Sequence, residues 1–240
     1  MAVLELRNVT KKFGGVTALN NISLSVKENE IVGLIGPNGS GKTTAFNIIS
    51  GFLKPDSDQG SIYFDGEDIT GLKPHEICMR GVGRTFQIPK PLESFSVLDN
   101  VAVAVLAKKG GAPSRAREEA YQVLKFLGLL DKAYMMPPNL TLPDRKRLEV
   151  ARALALEPRL LLLDEVLAGL TPSEIDQALE LIKSINERGI AIMMVEHVMR
   201  AVMNVSERVI VLNEGRKIAE GPPTEISQNE EVIRVYLGRT

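Results

Sequence analysis

The stretch from Gly36 to Thr43 reads GPNGSGKT, and it decides the fold of the chain. It matches the pattern of a glycine, four residues and then Gly-Lys-Ser/Thr, which is typical of a loop that surrounds nucleotide phosphates. Glycines allow the backbone angles that turn successive amides toward phosphate oxygens, and a following helix adds partial positive charge at its N-terminus. The alternative interpretation is a glycine-rich turn that binds nothing.

The residues on both sides of this loop favour the phosphate-binding interpretation. The run IVGLI from Ile31 to Ile35 is typical of a strand buried on both faces of a parallel sheet, and a helix is predicted from Lys42 to Ser50. We expect Lys42 to reach the β- and γ-phosphates and the Thr43 hydroxyl to bind Mg²⁺. The predicted nucleotide-binding residues of the loop are Gly36, Pro37, Asn38, Gly39, Ser40, Gly41, Lys42, Thr43 and Thr44.

A second element, LLLLDE from Leu160 to Glu165, ends an apolar strand with two acids. Open α/β sheets bind their ligands at the carboxyl ends of the strands. Asp164 is therefore predicted to hold Mg²⁺, directly or through water, and Glu165 to accept a proton from, or orient, the water that attacks the γ-phosphate. On their own, two such acids are as often the polar start of a loop.

Three further side chains are candidates, each with an ordinary alternative. His197 follows the next buried strand in VEHVM, where it could donate a hydrogen bond to the γ-phosphate or be an ordinary surface or core histidine. Gln87 follows VGRTF and could bind Mg²⁺ or water, or have no role. Phe13 lies 23 residues before the loop and could stack on a base or pack in the core.

Composition limits the class of protein. The 240 residues are 44% hydrophobic and 25% charged with a formal charge of -1, which excludes disorder and coiled coil and gives no electrostatic argument for a nucleic-acid partner. The single cysteine, Cys78, cannot form an internal disulfide, so a reducing compartment such as the cytoplasm is expected. The longest candidate apolar run, Val101 to Ala107, has seven residues against the roughly 20 that span a bilayer, and no targeting segment is expected.

The pattern along the chain predicts one α/β domain over residues 1–240. Alternating residues from Val3 to Val26, with Ser61 to Phe64 returning beside them, indicate an N-terminal antiparallel sheet. Residues 89–158 show no strand signal and are predicted as an inserted helical part, so 1–88 and 159–240 form the core. Helix starts are predicted at Ser96, Ser114 and Thr171, a helix end at Gly189, a hairpin around Asn213 to Gly215 and a last helix over Asn229 to Tyr236.

The order of these motifs resembles that of the ATPase subunit of ABC transporters over essentially the whole chain. RTFQ at Arg84 to Gln87, VLAGLTPSE at Val166 to Glu174, VEHVM and VLNEGRKIAEG resemble the ATPases of branched-chain amino acid importers. The resemblance implies a P-loop NTPase (RecA-like) core with a mostly parallel sheet, ATP and Mg²⁺ as cofactors, and a peripheral position on the cytoplasmic face of the membrane. It implies three partners: a second ATPase subunit, permease subunits and, indirectly, a solute-binding protein. By the same resemblance Phe13 stacks on adenine, Gln87 couples the γ-phosphate to the permease, and residues 89–98 face the permease.

The chain departs from this family at two places. In the family, the signature Leu-Ser-Gly-Gly-Gln of one subunit holds the γ-phosphate of the ATP that the opposing subunit binds. Here it is replaced by LTLPD at Leu140, Thr141, Leu142, Pro143 and Asp144. Thr141 keeps a hydroxyl and can cap a helix with Asp144, but Pro143 has no amide hydrogen and Asp144 brings a negative charge near a phosphate. We therefore expect a weakened site. Thr171 stands where many ABC proteins have aspartate, and this departure concerns communication across the dimer.

The main interpretation is an ATPase in which Glu165, His197, Lys42 and Gln87 carry catalysis and a permease imports branched-chain or related amino acids. One alternative is another transport ATPase, such as the lipopolysaccharide export type. Another is a regulatory subunit that hydrolyses weakly because of LTLPD. A soluble ATPase that acts on DNA or ribosomes is disfavoured because the chain has no basic excess.

Overall fold

Two β-sheets organise the chain in the computed structural model, which describes residues 1–56 and 60–237. The strands are β1 (Ala2–Phe13), β2 (Val16–Lys27), β3 (Ile31–Ile35), β4 (Ser61–Phe64), β5 (Glu67–Asp68), β6 (Val82–Arg84), β7 (Leu160–Asp164), β8 (Ala191–Val195), β9 (Arg208–Asn213) and β10 (Arg216–Gly221). The helices are α1 (Lys42–Ile49), α2 (Pro74–Arg80), α3 (Val97–Lys109), α4 (Pro113–Phe126), α5 (Leu142–Leu154), α6 (Pro172–Asn186), α7 (Met199–Val205), α8 (Pro223–Gln228) and α9 (Glu230–Leu237). The α/β prediction is confirmed.

The first sheet is antiparallel and has the order β2-β1-β4-β5. β1 and β2 form a long hairpin, and β4 pairs with the first half of β1 from Leu4 opposite Phe64 to Arg7 opposite Ser61. The alternation of buried and exposed side chains in these strands matches the period of two that the sequence shows. The predicted N-terminal antiparallel sheet is confirmed.

The second sheet has the order β10-β9-β3-β8-β7-β6, and every pair in it is parallel except β10 with β9. All side chains of β3, β7 and β8 are buried, because helices and the first sheet cover both faces. That burial explains the uninterrupted apolar runs in the sequence. Since parallel strands end at the same edge of a sheet, the residues after β3, β6, β7 and β8 come together there.

Residues 89–158, all of which the structure describes, contain helices and turns but no strand, as predicted. α3 begins at Ser96, whose side chain accepts a hydrogen bond from the backbone N–H of Asp99 at 3.1 Å. α4 begins at Pro113 with Ala112 as N-cap, one residue before the predicted start at Ser114. Proline is favoured in a first turn because the amide it lacks would have no helical partner there.

Other helix bounds differ more from the predictions. α6 begins after Thr171 as predicted but ends at Asn186, three residues before Gly189. Three helices, α2, α7 and α8, have no counterpart in the predictions, since six or seven residues show too little periodicity. In the described part of the chain, no helix combines the length and apolarity that crossing a bilayer requires.

Candidate functional site

Four of the predicted motifs meet at the carboxyl edge of the second sheet. The loop from Gly36 follows β3, Gln87 follows β6, Glu165 follows β7 and His197 follows β8. β3 pairs with β8, β8 with β7 and β7 with β6, so these strands are consecutive neighbours. The edge therefore collects the predicted phosphate-binding and catalytic residues in one place.

The loop after β3 is shaped by glycines whose backbone angles other residues rarely adopt. Gly36 has φ +152° and Gly41 has φ +106°. A Cβ on Gly36 would lie 2.1 Å from the carbonyl oxygen of Leu212, and one on Gly41 would lie 2.5 Å from that of Ala18. No side chain fits at either position, because both neighbours are backbone atoms. The loop is thus packed against β9 and β2 in one conformation.

Lys42 stabilises this loop from inside. Its buried side chain donates hydrogen bonds from Nζ to the carbonyl oxygens of Gly36 at 2.8 Å and Pro37 at 3.0 Å. Burial lowers the pKa of Lys42, while the nearby carboxylates of Glu165 and Asp164 act to raise it. The ammonium group therefore lies at the loop, and its contact with phosphate oxygens stays a prediction.

The start of helix α1 suits an anion. Gly41 is its N-cap, and within the described residues no side chain caps its first turn. The first amides of a helix have no partner inside the helix, and they attract negative charge together with the helix dipole. Thr43, predicted to bind Mg²⁺, is exposed in this turn, and Thr44 is half-buried.

Glu165 joins two of the other predicted residues. Nε2 of Gln87 donates to Oε2 of Glu165 at 2.7 Å, and Nε2 of His197 lies 3.0 Å from Oε1. The carboxylate of Glu165 is mostly buried, whereas the imidazole of His197 is half exposed. The structure thus brings Gln87, Glu165 and His197 together, which sequence spacing alone does not establish.

Asp164 lies next to Arg84, for which no role was predicted. Nη2 of Arg84 donates to Oδ2 of Asp164 at 2.9 Å, and both side chains are buried. Arg84 also donates to Oδ1 of Asn47 at 2.8 Å and to Oγ of Ser50 at 2.7 Å. Burial lowers the pKa of Arg84, and Asp164 acts to raise it. The arginine that ends VGR, three residues before the candidate Gln87, was the signal in the sequence that could have found this pair.

The donor set fits Mg²⁺ that is shared with a nucleotide. Across residues 1–56 and 60–237, no group of three or more His, Cys, Asp or Glu could hold a metal ion by itself. Mg²⁺ is usually held by one or two carboxylates together with substrate phosphates and water, which does not require such a group. Thr43, Asp164 and Gln87 supply the hydroxyl, carboxylate and amide oxygens that the prediction assigned to this ion.

Phe13 does not pack in the core. It ends β1 with 47% of its surface exposed, so the core-packing alternative for this residue is wrong. Its ring lies 5.6 Å from Nζ of Lys11, and its partner in the hairpin is Val16, two residues before Ala18, whose carbonyl oxygen contacts the loop. Stacking of Phe13 on a base stays a prediction.

The segment that replaces the signature, Leu140 to Asp144, begins helix α5. Thr141 is its N-cap and accepts from the amide of Asp144, which confirms the predicted capping pair. Asp144 is buried, and its Oδ2 accepts from the Thr141 hydroxyl at 2.6 Å and from Nζ of Lys132 at 2.7 Å. Burial alone would raise the pKa of Asp144, but these two bonds outweigh it and lower the pKa. Lys132 therefore compensates the negative charge that Asp144 brings to this segment, and a weakened site stays a prediction.

Two buried charged residues near Glu165 were missed by sequence reasoning. Nζ of Lys146 donates to the carbonyl oxygen of Glu165 at 2.8 Å, and Oε1 of Glu196 accepts from the amide of Leu167 at 2.8 Å. Burial raises the pKa of Glu196 to about 7. The position of Glu196 directly before His197 was the only signal in the sequence.

Sequence comparisons with known proteins point to one family. The profile of the ABC transporter family matches residues 19–168, and that of the branched-chain amino acid ATP-binding cassette transporters matches residues 216–240. The high-affinity branched-chain amino acid transport ATP-binding protein LivG of Salmonella typhimurium is 40% identical over 98% of both chains. The lipopolysaccharide export system ATP-binding protein LptB of Haemophilus influenzae is 34% identical over 99% of this chain and 98% of its own.

The solved structures confirm the P-loop NTPase fold. A crystal structure of a nucleotide-free ATP-binding cassette from an ABC transporter covers 100% of both chains with a TM-score of 0.89 and 31% identity. The sequence matches extend from the phosphate loop to Glu165 and beyond, so they include the edge of the sheet where the candidate residues meet. This chain belongs to the ABC transporter family, as one of its ATP-binding cassettes.

Proposed function

We propose that the chain binds and hydrolyses ATP at the carboxyl edge of the second sheet and thereby powers uptake of branched-chain or related amino acids through a membrane permease. The observation that carries the proposal is the position of Glu165, whose carboxylate is bonded to Gln87 and lies against His197 near the lysine of the phosphate loop. A carboxylate, two polar partners and a cation thus lie at one strand edge. Such a set suits transfer of a phosphoryl group to water.

Each side chain has a defined role in this proposal. Lys42 and the first amides of α1 bind the phosphates and absorb the charge that develops on them. Glu165 accepts a proton from the attacking water or orients it, Gln87 donates to its carboxylate, and His197, which lies against that carboxylate, donates to the γ-phosphate when a nucleotide is bound. Thr43 and Asp164 would hold Mg²⁺, which neutralises charge on the phosphates when it is bound.

Two chains would cooperate in the proposed enzyme. The segment Leu140 to Asp144 would contact the nucleotide held by a second ATPase subunit, in a homodimer or a heterodimer. Its position at the N-terminus of α5 supports this role, because helix N-termini favour anions. The hydroxyl of Thr141 already donates to Asp144, and Pro143 supplies no amide, so fewer donors face the partner's phosphate than in LSGGQ.

A groove beside the site supports a permease as partner. It has a volume of about 520 Å³ and its lining includes Phe52, Cys78, Arg84, Phe86, Glu149 and Arg152. The backbone of Lys90 is fixed along it, because its amide donates to Glu149 at 3.1 Å and its carbonyl oxygen accepts from Arg152 at 2.9 Å. Ile88 and Phe95 are exposed nearby in the chain, which suits contact with an apolar surface. Residues 89–98 would thus face the permease, with the chain peripheral on the cytoplasmic side of the membrane and connected only indirectly to a solute-binding protein.

The choice of solute follows the similarity to relatives. LivG exceeds LptB in identity to this chain, and the profile over residues 216–240 belongs to branched-chain amino acid transporters. We therefore favour branched-chain amino acids over lipopolysaccharide. Retention of Glu165 and His197 argues against a purely regulatory subunit.

Mg-ATP turnover of the purified chain, measured over a range of protein concentrations, tests the enzymatic part. We expect the rate to rise faster than linearly with concentration, because two chains form each complete site, and we expect Glu165→Gln to lose turnover. Glu180→Gln is the matched control, since that carboxylate is exposed on α6. Tight ATP binding without turnover at any concentration would contradict hydrolysis by this chain alone.

The transport part is tested in cells that lack the gene for this chain. Uptake of labelled leucine at low concentration should fall, and it should return with the wild-type chain but not with Glu165→Gln. Normal leucine uptake together with a defect in lipopolysaccharide export would overturn the proposed solute in favour of the alternative.

A further inference from the structure

We propose that Lys146 and Glu196 are positioning residues that hold Glu165 in the backbone conformation required for hydrolysis. Through Lys146, helix α5 is bonded directly to the turn that carries Glu165. The proposal rests on the proposed function, because it assigns roles around the same site. Neither residue is expected to touch the nucleotide. Their effect is on the direction in which the Glu165 side chain leaves the backbone.

The turn after β7 has an unfavourable backbone. Glu165 has φ +51°, in the left-handed region that residues with a Cβ rarely adopt. Such a conformation persists only where the surrounding structure holds it, and it is frequent at functional sites. Without that support, the chain at Glu165 would relax to a right-handed or extended conformation and redirect the carboxylate.

Three bonds from other elements hold this turn. The amide of Glu165 donates to the carbonyl oxygen of Val195 in β8 at 2.9 Å. The carbonyl oxygen of Glu165 accepts from Nζ of Lys146 in α5 at 2.8 Å. The amide of Leu167 donates to Oε1 of Glu196 at 2.8 Å. The peptide groups on both sides of Glu165 are therefore fixed by residues far away in the chain.

The burial of the two side chains favours a specific role over a general structural one. Lys146 is 7% exposed and Glu196 is 2% exposed. Burying charged groups is costly, and apolar residues of similar size would fill the same space at lower cost. What an apolar residue cannot do is donate to the Glu165 carbonyl or accept from the Leu167 amide.

The charges around Glu196 are mixed. Burial raises the pKa of Glu196 to about 7, and the negative charges of Glu165 and Asp164 act in the same direction. The positive charge of Lys146 acts to lower the pKa. Burial likewise lowers the pKa of Lys146, against the attraction of Glu196 and Glu165. A protonated Glu196 still accepts through Oε1, so the bond to Leu167 persists in either form. The positioning role therefore depends on the acceptor oxygen and not on its charge.

The bond from Lys146 connects helix α5 to the turn that carries Glu165. Lys146 lies five residues after Thr141, or about 7.5 Å along the helix axis. The segment that faces the partner's nucleotide and the lysine that fixes Glu165 thus lie on one rigid element. A displacement of the helix start would move the carbonyl of Glu165 with it.

Paired substitutions test the proposal. Lys146→Met and Glu196→Met each remove one bond and keep the length of the side chain, whereas Lys146→Arg keeps a donor and Glu196→Gln keeps the acceptor oxygen. We expect the methionine variants to lose roughly 10- to 100-fold in kcat, the size of effect that a small misplacement of a catalytic group produces. The KM and the equilibrium Kd for ATP should stay within about twofold, and the arginine and glutamine variants should keep most of the wild-type kcat. Lys125→Met, on the exposed face of α4, is the control.

The readouts separate positioning from folding. Thermal unfolding of each variant shows whether it is folded at the assay temperature, and Lys146→Leu, which also lacks a donor, serves in place of Lys146→Met if the latter does not fold. A folded methionine variant with wild-type kcat would overturn the proposal, as would a loss of kcat matched by an equal loss of ATP affinity or shared by the conservative variants. Absence of turnover in the wild-type chain under all conditions would overturn the proposed function itself, which makes the two failures distinguishable.

Discussion

Gln87 and Glu165 meet across the ends of two neighbouring strands, with Nε2 of Gln87 2.7 Å from Oε2 of Glu165. Their strands, β6 and β7, pair in parallel with Arg84 opposite Leu162. Asp164, directly before Glu165, accepts a hydrogen bond from Arg84 at 2.9 Å, and these two residues end β7 and β6. Two polar contacts therefore connect the same pair of strand ends, one to each predicted acid. Because Gln87 leads directly into the residues beside the groove, movement of that segment would act on the Glu165 carboxylate.

Loss of the Gln87 side chain should slow hydrolysis without weakening nucleotide binding. Gln87→Ala removes the donor that orients Oε2 of Glu165, and a hydrogen bond to a charged group is worth about 1.5 to 3 kcal/mol. We expect kcat to fall roughly tenfold or more, with the Kd for ATP nearly unchanged. Steady-state turnover and equilibrium binding measure the two effects. Gln122→Ala on exposed α4 is the control, and an unaltered kcat in Gln87→Ala would contradict the assigned contact.

The elements that could be predicted from the sequence are those with a uniform pattern or a complete cap. β3, β7 and β8 are wholly buried strands and read as apolar runs, and α6 carries a complete capping pair, Thr171 with Glu174. The helix α2 has seven residues, too few for two turns of amphipathic repeat. Pro74 at its start, Glu76 in its first turn and Gly81 directly after it were the local signals for it.

The site was predictable where a motif is contiguous and not where packing assembles it. The phosphate loop and LLLLDE are readable because their chemistry lies in neighbouring residues. The contact of Arg84 with Asp164 spans 80 positions and that of Glu196 with Leu167 spans 29, so both depend on strand order. The neutralisation of Asp144 by Lys132 depends on the turn between α4 and α5, which the sequence pattern did not define.

A buried ion pair between the start of β3 and the start of β9 should contribute strongly to stability. Arg208 donates from Nε and Nη2 to the two carboxylate oxygens of Glu30, each at 2.8 Å, and Glu30 is buried. Arg208→Met leaves that carboxylate without its partner, and we expect a loss of about 2 to 4 kcal/mol in the free energy of unfolding. Urea unfolding at pH 7 measures it. Arg7→Met, which breaks an exposed pair with Glu5, is the matched control and should change stability by less than about 1 kcal/mol.

The raised pKa of Glu196 predicts a pH-dependent difference between the wild-type chain and Glu196→Gln. Its pKa is about 7 in the folded chain against an ordinary value of 4.5, so between these two pH values the folded chain binds more protons than the unfolded chain. The contribution of Glu196 to stability therefore falls, by up to about 3 kcal/mol, as the pH rises through this window. Glutamine does not ionise and keeps the acceptor oxygen for Leu167.

Urea unfolding from pH 5 to pH 8 measures this difference. We expect Glu196→Gln to be close to wild type at pH 5 and more stable than wild type at pH 8. Glu180→Gln, at an exposed carboxylate, should show no such trend. A constant difference between Glu196→Gln and wild type across the whole range would mean that Glu196 does not titrate there.

Restoring the usual signature should speed hydrolysis if the native segment limits it. Replacing LTLPD by LSGGQ frees the hydroxyl at position 141 from Asp144 and supplies an amide at position 143, both at a helix N-terminus that would face the partner's γ-phosphate. We expect a turnover increase of roughly tenfold, the equivalent of one added hydrogen bond to a charged group. The rate is measured against protein concentration, with Glu165→Gln added to show that the gain arises at the same site.

The single change Pro143→Gly separates the two causes. It supplies the amide while Asp144 keeps its bonds to Thr141 and Lys132, so a gain in this variant alone would assign the limit to the missing donor. A gain that appears only with the full replacement would assign it to the hydroxyl engaged by Asp144. Unaltered turnover in both folded variants would mean that LTLPD already completes the site, because α5 then delivers enough positive potential through its remaining amides.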